Sequence, residues 1–331
     1  MKEISSSLCV GSLLALAVFI VPVHAQQARS FVSNAVGNDG NAPNCTRNAP
    51  CRTFQTAHDN TLDLGEITVL DPGSYGAVTI TKNISIINDG VGEAGILVSG
   101  GATAITVNAP LFAAVSLRGL TIKGIGFGGG TGIIFNTGAL LSIEHCVIRN
   151  LTAAQLGVPG TGIFYSPAVS GGNVGLSVSD TVVTDNTSSG IYLLPRGNGL
   201  TNAVFTRVQS IHNGFDGFAV DFSQTTSGNA TNRINVTIES SAAVLNARAG
   251  YEILTSAGAA PVFMNVIRSV AHGNQNGFLA PCCNTLAIGQ SAIMGNGTTW
   301  AGNGIIETYG DNYVEGNIDN NPAFPFTHSR Q

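Results

Sequence analysis

Apolar residues fall along this chain in short alternating runs separated by Gly, Asn, Ser and Thr. A period of two is strand spacing, and no stretch sustains the 3.6-residue period of a helix. A glycine followed by a large apolar residue recurs at Gly132-Ile133, Gly162-Ile163, Gly190-Ile191, Gly217-Phe218, Gly250-Tyr251, Gly277-Phe278 and Gly304-Ile305. The gaps are 30, 28, 27, 33, 27 and 27 residues. Asn186, Asn213, Asn246, Asn274 and Asn296 each stand shortly before such a pair or its successor, Asn150 takes the same role in an earlier unit, and Asn317 reads as a truncated last copy.

Each unit predicts three short strands. In one, Tyr251-Glu252-Ile253-Leu254 alternates, Val262 to Ile267 forms a second run, and Val270-Ala271 a third, before Asn274. No such unit buries its apolar face alone, so the units must stack. Leucine-rich and ankyrin repeats need a helix per unit, and a propeller blade needs about 40 residues. The pattern predicts an all-β protein: a right-handed parallel β-helix, with strands about 4.8 Å apart and repeated residues in columns. Asn side chains are then expected to pair with backbone groups at successive turns.

The chain divides further. Met1 to Ala25 carry a lysine, an apolar run from Leu8 to Val21, and a small-residue end. That is the pattern of a secretory signal peptide, with cleavage expected after Ala25 and a secreted or periplasmic product. Its apolar run is too short for a span of roughly 20 residues, and no membrane span is expected elsewhere. Residues 26–66 are expected to cap the first coil, with a short helix beginning at Thr53-Phe54-Gln55; residues 67–318 form the repeats and 319–331 a tail.

Composition excludes several classes. Charged residues are only 10% and the net charge is −5, with no basic stripe, so nucleic acid is not an expected partner. No phosphate-binding glycine motif is present, and no cofactor is implied. The histidines never fall at ligand spacing, so no metal site is expected. Cys45 and Cys51 stand six apart in a polar stretch and are expected to form a disulfide in an oxidising compartment. Cys146 is expected to be a buried thiol, and Cys282-Cys283 either a vicinal disulfide or two thiols.

The run Val69-Leu70-Asp71-Pro72-Gly73-Ser74-Tyr75-Gly76, followed by Val78-Thr79-Ile80 and Ile84-Ser85-Ile86, resembles the first coil of pectin-lyase-like β-helix proteins. The Asn and Gly-Ile coils are similar to the right-handed β-helix repeat proteins of that superfamily, over about residues 30 to 318. The resemblance implies the fold and a polysaccharide partner. It carries no catalytic set across. Polygalacturonase-like members use Asn-Thr-Asp, Asp-Asp, Gly-His-Gly and Arg-Ile-Lys, whereas Asn136-Thr137 is followed here by Gly138, and Ala271-His272-Gly273 and Arg233-Ile234-Asn235 are partial echoes.

Column arithmetic supplies candidate residues. Aligning units on Asn150, Asn186 and Asn213 stacks Arg149, Asp185 and His212, where Asp185 would polarise an imidazole for proton transfer. Six residues before each Asn stand Glu144, Asp180 and Arg207, a set suited to a hydroxylated or charged ligand. Weak pairs between solvated turn residues are the alternative. Two residues after each repeat glycine, Ile134, Phe164, Tyr192, Ala219, Glu252, Leu279 and Ile306 should point outward. Phe164 and Tyr192 would form a platform for sugar rings unless the loops Ser166–Gly175 and Ser223–Arg233 bury them. Trp300 is expected to pack near the last coils. The expected function is polysaccharide binding; a polysaccharide lyase or hydrolase with a divergent site, or an adhesive solenoid, are the alternatives.

Overall fold

A computed structural model describes residues 27–125, 130–152, 160–169, 172–226, 233–255, 258–281 and 285–327. Among these, the strands form three long parallel sheets of twelve, ten and nine strands. Leu200–Thr206 lies in the twelve-stranded sheet, Gln209–Ile211 in the ten-stranded sheet and Phe218–Asp221 in the nine-stranded sheet, and Ile234–Glu239 returns to the first. The molecule is a right-handed parallel β-helix. The segment of residues 1–25 and the Cys282-Cys283 pair lie outside the described residues.

The coil bends where the backbone turns left-handed. Asp180, Arg207, Ser240 and Arg268 have φ near +50° at the corner after the long strand; Asp185, His212 and Leu245 do so at the next corner. Behind the first corner, buried hydroxyls receive backbone N–H groups of the preceding coil: Val208 to Ser241 Oγ at 3.0 Å, and Ser241 to Ser269 Oγ at 3.1 Å. Behind the second runs an asparagine ladder. Asn213 donates both its backbone N–H and its Nδ2 to Asn246 Oδ1, at 3.1 and 3.0 Å, and Asn246 repeats this to Asn274 at 2.9 and 3.0 Å.

The ladder accounts for the repeat glycines. A Cβ on Gly217 would lie 2.7 Å from the Gly250 carbonyl oxygen and 2.9 Å from Asn246 Nδ2. Only a residue without a side chain lets the asparagine amide sit there. The residue after each glycine points into the core, where rings stack: Phe218 on Tyr251 and Tyr251 on Phe278, both at 5.2 Å. Each such buried ring contributes about 2 kcal/mol by area.

Three alignments change in the structure. Arg149 pairs with Thr184, so Asn150, with φ +58°, belongs to the corner column, and Leu151 stands in the ladder position. Glu144 pairs with Ser179, so His145, not Glu144, precedes Asp180 in its column. Phe278 pairs with Trp300, so Gly304-Ile305 is not a repeat copy. Ile305 and Ile306 lie in the long strand of the last coils, and Ile306 is buried there.

The first coil is closed by the helix Phe54–Asn60, whose N-cap Thr53 accepts the Thr56 N–H. A strand, Gln27–Val32, precedes it and pairs with Thr61–Val69, which extends the long sheet into the cap segment. Asp71 of the Asp-Pro-Gly run accepts the Asn34 N–H at 2.6 Å and the Tyr75 hydroxyl at 2.8 Å. Cys45 and Cys51 form a disulfide. Cys146 is a buried free thiol, which burial pushes up to about 11. At the far end Phe324 packs edge-on against Phe278 at 6.5 Å. Among the described residues, no helix is long and apolar enough to cross a membrane, which says nothing of strands.

Replacing Asn246 with Ala strips the acceptor from two buried donors of Asn213. The expected loss is about 3 kcal/mol, read as a lower urea midpoint at unchanged slope.

Candidate functional site

The corner residues meet as surface pairs. His212 Nδ1 lies 2.8 Å from Asp185 Oδ1, with side chains 70% and 47% exposed. They line a shallow depression of about 370 Å³ with Thr187, Gly214, Leu245 and Ala247. An ion pair this exposed is worth little, and its imidazole is oriented on one side only. Arg207 grips Asp180 through Nε and Nη2 at 2.6 and 2.7 Å, and that bond holds the Asp180 carboxyl below its ordinary range. His145 Nδ1 stands 3.2 Å from Glu144 Oε1.

Glu144, His145 and Asp180 bring donor atoms within 4.8 Å of one another. Their types suit a divalent ion, but Arg207 engages both Asp180 oxygens. Arg149 lies between Lys123 and Thr184 in the ten-stranded sheet, and among the described residues it forms no ion pair. The structure thus brings Asp185 to His212 and Asp180 to Arg207, and leaves Arg149 outside both.

The outward face of the nine-stranded sheet is different. Phe164 and Tyr192 are register neighbours and half-buried, with rings stacked at 5.6 Å and 26°. The Tyr192 hydroxyl donates to Asp221 Oδ2 at 2.7 Å, and the Ser223 N–H to Asp221 Oδ1 at 2.9 Å. Burial raises the tyrosine's pKa. The loops that follow the sheet make a short ladder of their own, Ala168–Val169 with Arg196–Gly197, extended by a bridge from Gly197 to Thr225. This flanks the aromatic pair without burying it fully.

Two coils along, the same column reaches Ala219 and then Glu252, and Glu252 is fully buried. Asp216, also buried, accepts Arg248 Nε at 2.9 Å and Nη2 at 2.7 Å, the Ala249 N–H at 3.2 Å and the Ser189 hydroxyl at 3.2 Å. Arg248 also donates to Glu252 Oε2, and its guanidinium lies 4.7 Å over the Phe215 ring. Two buried carboxyls therefore share one arginine. Burial, reinforced by the Asp216 charge, pushes the Glu252 carboxyl up to about 9. The Glu252 carboxyl also shares a hydrogen bond with the Asp216 carboxyl, which favours the proton on Glu252.

This cluster was not singled out by sequence reasoning. The signal for it was Glu252 itself, an acid in a column otherwise filled by Ile134, Phe164, Tyr192, Ala219 and Leu279. Asp216 and Arg248 are 32 residues apart and carry no motif.

No family model matches the chain, and no curated protein matches it. Among solved structures, the crystal structure of pectate lyase Pel9A matches with a TM-score of 0.57 and 14% sequence identity, covering 91% of this chain and 78% of that one. At that identity the likeness is one of fold alone.

Glu252 in the folded chain keeps its proton to about pH 9, while its ordinary value is 4.5. Unfolding between these values releases a proton, so stability falls as pH rises through that window and levels above it. Glutamine has no proton to lose. Glu252→Gln should therefore flatten the profile of urea midpoint against pH, its advantage over the native chain growing toward the alkaline end.

Proposed function

We propose that this is an exported, polysaccharide-binding β-helix protein whose glycan lies across the outward face of the nine-stranded sheet. The observation that carries the reading is the Phe164–Tyr192 pair: two stacked, half-buried rings on adjacent coils, with the Asp221 carboxylate fixed beside them. A sugar presents an apolar face of C–H groups and an equatorial rim of hydroxyls. A flat aromatic surface bordered by a few placed polar groups matches both. The spacing of coils, about 4.8 Å, spreads such contacts along a chain rather than around one residue.

Export is supported by the signal-like pattern of residues 1–25 and by the Cys45–Cys51 disulfide, which suits an oxidising compartment; the reading puts cleavage after Ala25. In this layout residues 26–66 cap the solenoid, 67–318 form its coils, and 319–331 are the tail. The Asp185–His212 pair stands at the corner that leads into the shelf. It supplies a polar margin there, as Asp180–Arg207 and Glu144 do one corner earlier, and Arg149 stands at the end of the ten-stranded-sheet strand just before the Asp185 corner.

Affinity electrophoresis of the mature chain against neutral and uronate polysaccharides tests the reading. Retardation by at least one glycan is expected, with Tyr192→Ala weakening it about tenfold or more, as for a central aromatic anchor. His212→Ala should change it less than threefold, by roughly the worth of an exposed pair. A native chain that no glycan retards would contradict the reading.

A further inference from the structure

The outward side of the twelve-stranded sheet keeps its charges at its margins. Register runs without a slip over eight strands, from Ile84–Ile87 to Thr285–Gly289. Two columns of side chains point out from them. One runs Ala114, Leu140, Gly175, Asn202, Asn235 and Phe263. The other runs from Ser85 through Ser177 and Val204 to Ala287. Neither holds a charged residue. Glu66 and Glu307 bound the second column at its two ends, and Arg118, Glu144 and Glu239 lie along the corner. An uncharged centre with a charged rim is the layout of a protein–protein contact, because charged groups are depleted where water is excluded. Copies of a chain of net charge −5 repel one another, and an uncharged face is where that repulsion costs least.

The relief of this face is self-complementary. At its early end Leu64, Ser85, Ala114, Ser116 and Leu140 line a depression of about 220 Å³. Small residues form its floor and the two leucines its ends, with Leu64 81% and Leu140 40% exposed. The space exceeds the roughly 150 Å³ that holds a benzene ring. At the late end Phe263 is 44% exposed, between Asn235 and Thr285 in the column that contains Ala114. Five strand spacings, about 24 Å, separate the ring from the depression. A two-fold axis lying in the face along the strand direction, midway between them, reverses the order of coils and returns each column to itself. It carries Phe263 of each copy onto the Ala114 position of the other. At the centre Ser177 then meets the partner's Val204, since these two are adjacent in one column. Along the corner Glu144 meets the partner's Glu239, and each already has a cation beside it, Arg118 at 3.9 Å and Arg268.

We propose that this face seats a second copy of the chain in a two-fold dimer, with Phe263 of each copy packed into the Leu64–Leu140 depression of the other. Eight strands about 4.8 Å apart, each five to six residues long at about 3.3 Å per residue, give an in-plane area of about 700 Å². That is close to the roughly 800 Å² per partner of a stable interface. Two sheets meeting in this way stack about 10 Å apart, with side chains of the facing surfaces interleaved. The contact is closed: each copy offers one ring and one depression, and both are used in the pair, so no filament grows from it. Phe263 is its aromatic anchor. In both copies the nine-stranded sheet leads into the start of the long strands, so this axis places the two Phe164–Tyr192 shelves on the same side of the pair. A glycan surface would then be met twice, with the gain in avidity that two linked sites bring. The dimer itself does not depend on the glycan reading.

Sedimentation of the mature chain at micromolar concentration tests the proposal. A species of twice the chain mass is expected. Phe263→Arg and Ala114→Glu should each raise the dissociation constant about thirtyfold or more, with circular dichroism and urea midpoint close to those of the native chain. Mixing the two variants in equal amounts should restore the dimer. One of its two contacts then keeps Phe263 on Ala114, and the other joins the introduced guanidinium to the introduced carboxylate. Tyr192→Ala, on another face, should leave the mass unchanged. A native chain that sediments as a monomer overturns the proposal. So does a dimer that persists undiminished in both folded variants, because its contact then lies elsewhere. Variants that stay monomeric when mixed contradict the seating of position 263 on position 114, and oligomers that keep growing with concentration contradict a closed pair.

Discussion

The asparagine ladder is the constraint on which the rest of this molecule depends. From Asn186 to Asn317 each side-chain amide donates to the carbonyl oxygen of the next, at 3.0 Å in every step. The chain crosses this corner once per coil, and a buried backbone N–H there has no sheet partner of its own. The asparagine oxygen supplies one. A slip of one residue would move the amide out of the stack and place a glycine or an apolar side chain against orphaned donors, a cost of a few kcal/mol per coil. Register is therefore fixed at the corner and transmitted into the strands on either side.

Fixed register turns a loose repeat into ordered columns. The inward column after each glycine becomes a run of stacked rings, and the outward column becomes a shelf. It is this alignment that puts Phe164 on Tyr192 and brings Tyr192 within reach of Asp221 on the next coil. It also puts Glu252 under Arg248, with Asp216 from the coil before. Exposed corner pairs such as Asp180–Arg207 follow from the same stacking, but in water they gain little. The buried cluster is where the fold accepts an acid at a position that every neighbouring coil fills with an uncharged residue.

Much of this could be read in the residues. The Asn and Gly spacing carries the ladder and the close approach that it demands, because both act through residue types that few others can replace. The alternation of Val and Ile carries the strands, and Phe164 beside Tyr192 follows from counting two residues past each glycine. The reading went astray where a residue type serves two backbone roles. Asn150 looks like a ladder residue but occupies the left-handed corner, which asparagine tolerates; Leu151 holds the ladder position. Gly304 looks like a repeat glycine, whereas the last coil carries Thr299 there, and Trp300 takes the ring position. The acid cluster was out of reach for another reason. Its members come from different coils, and only burial, which no single residue type announces, makes their charges count.

The side-chain amide protons of the ladder report on the central claim most directly. In a uniformly nitrogen-labelled chain, the Nδ2 protons of Asn186, Asn213, Asn246, Asn274 and Asn296 should exchange with heavy water only through large-scale opening, and should be protected as strongly as the strand amides beside them. Their protection should fall together when urea lowers global stability. Exchange of these amides at the rate of exposed asparagines, with the strand amides still protected, would show that the ladder does not hold the coils in register and would contradict the account.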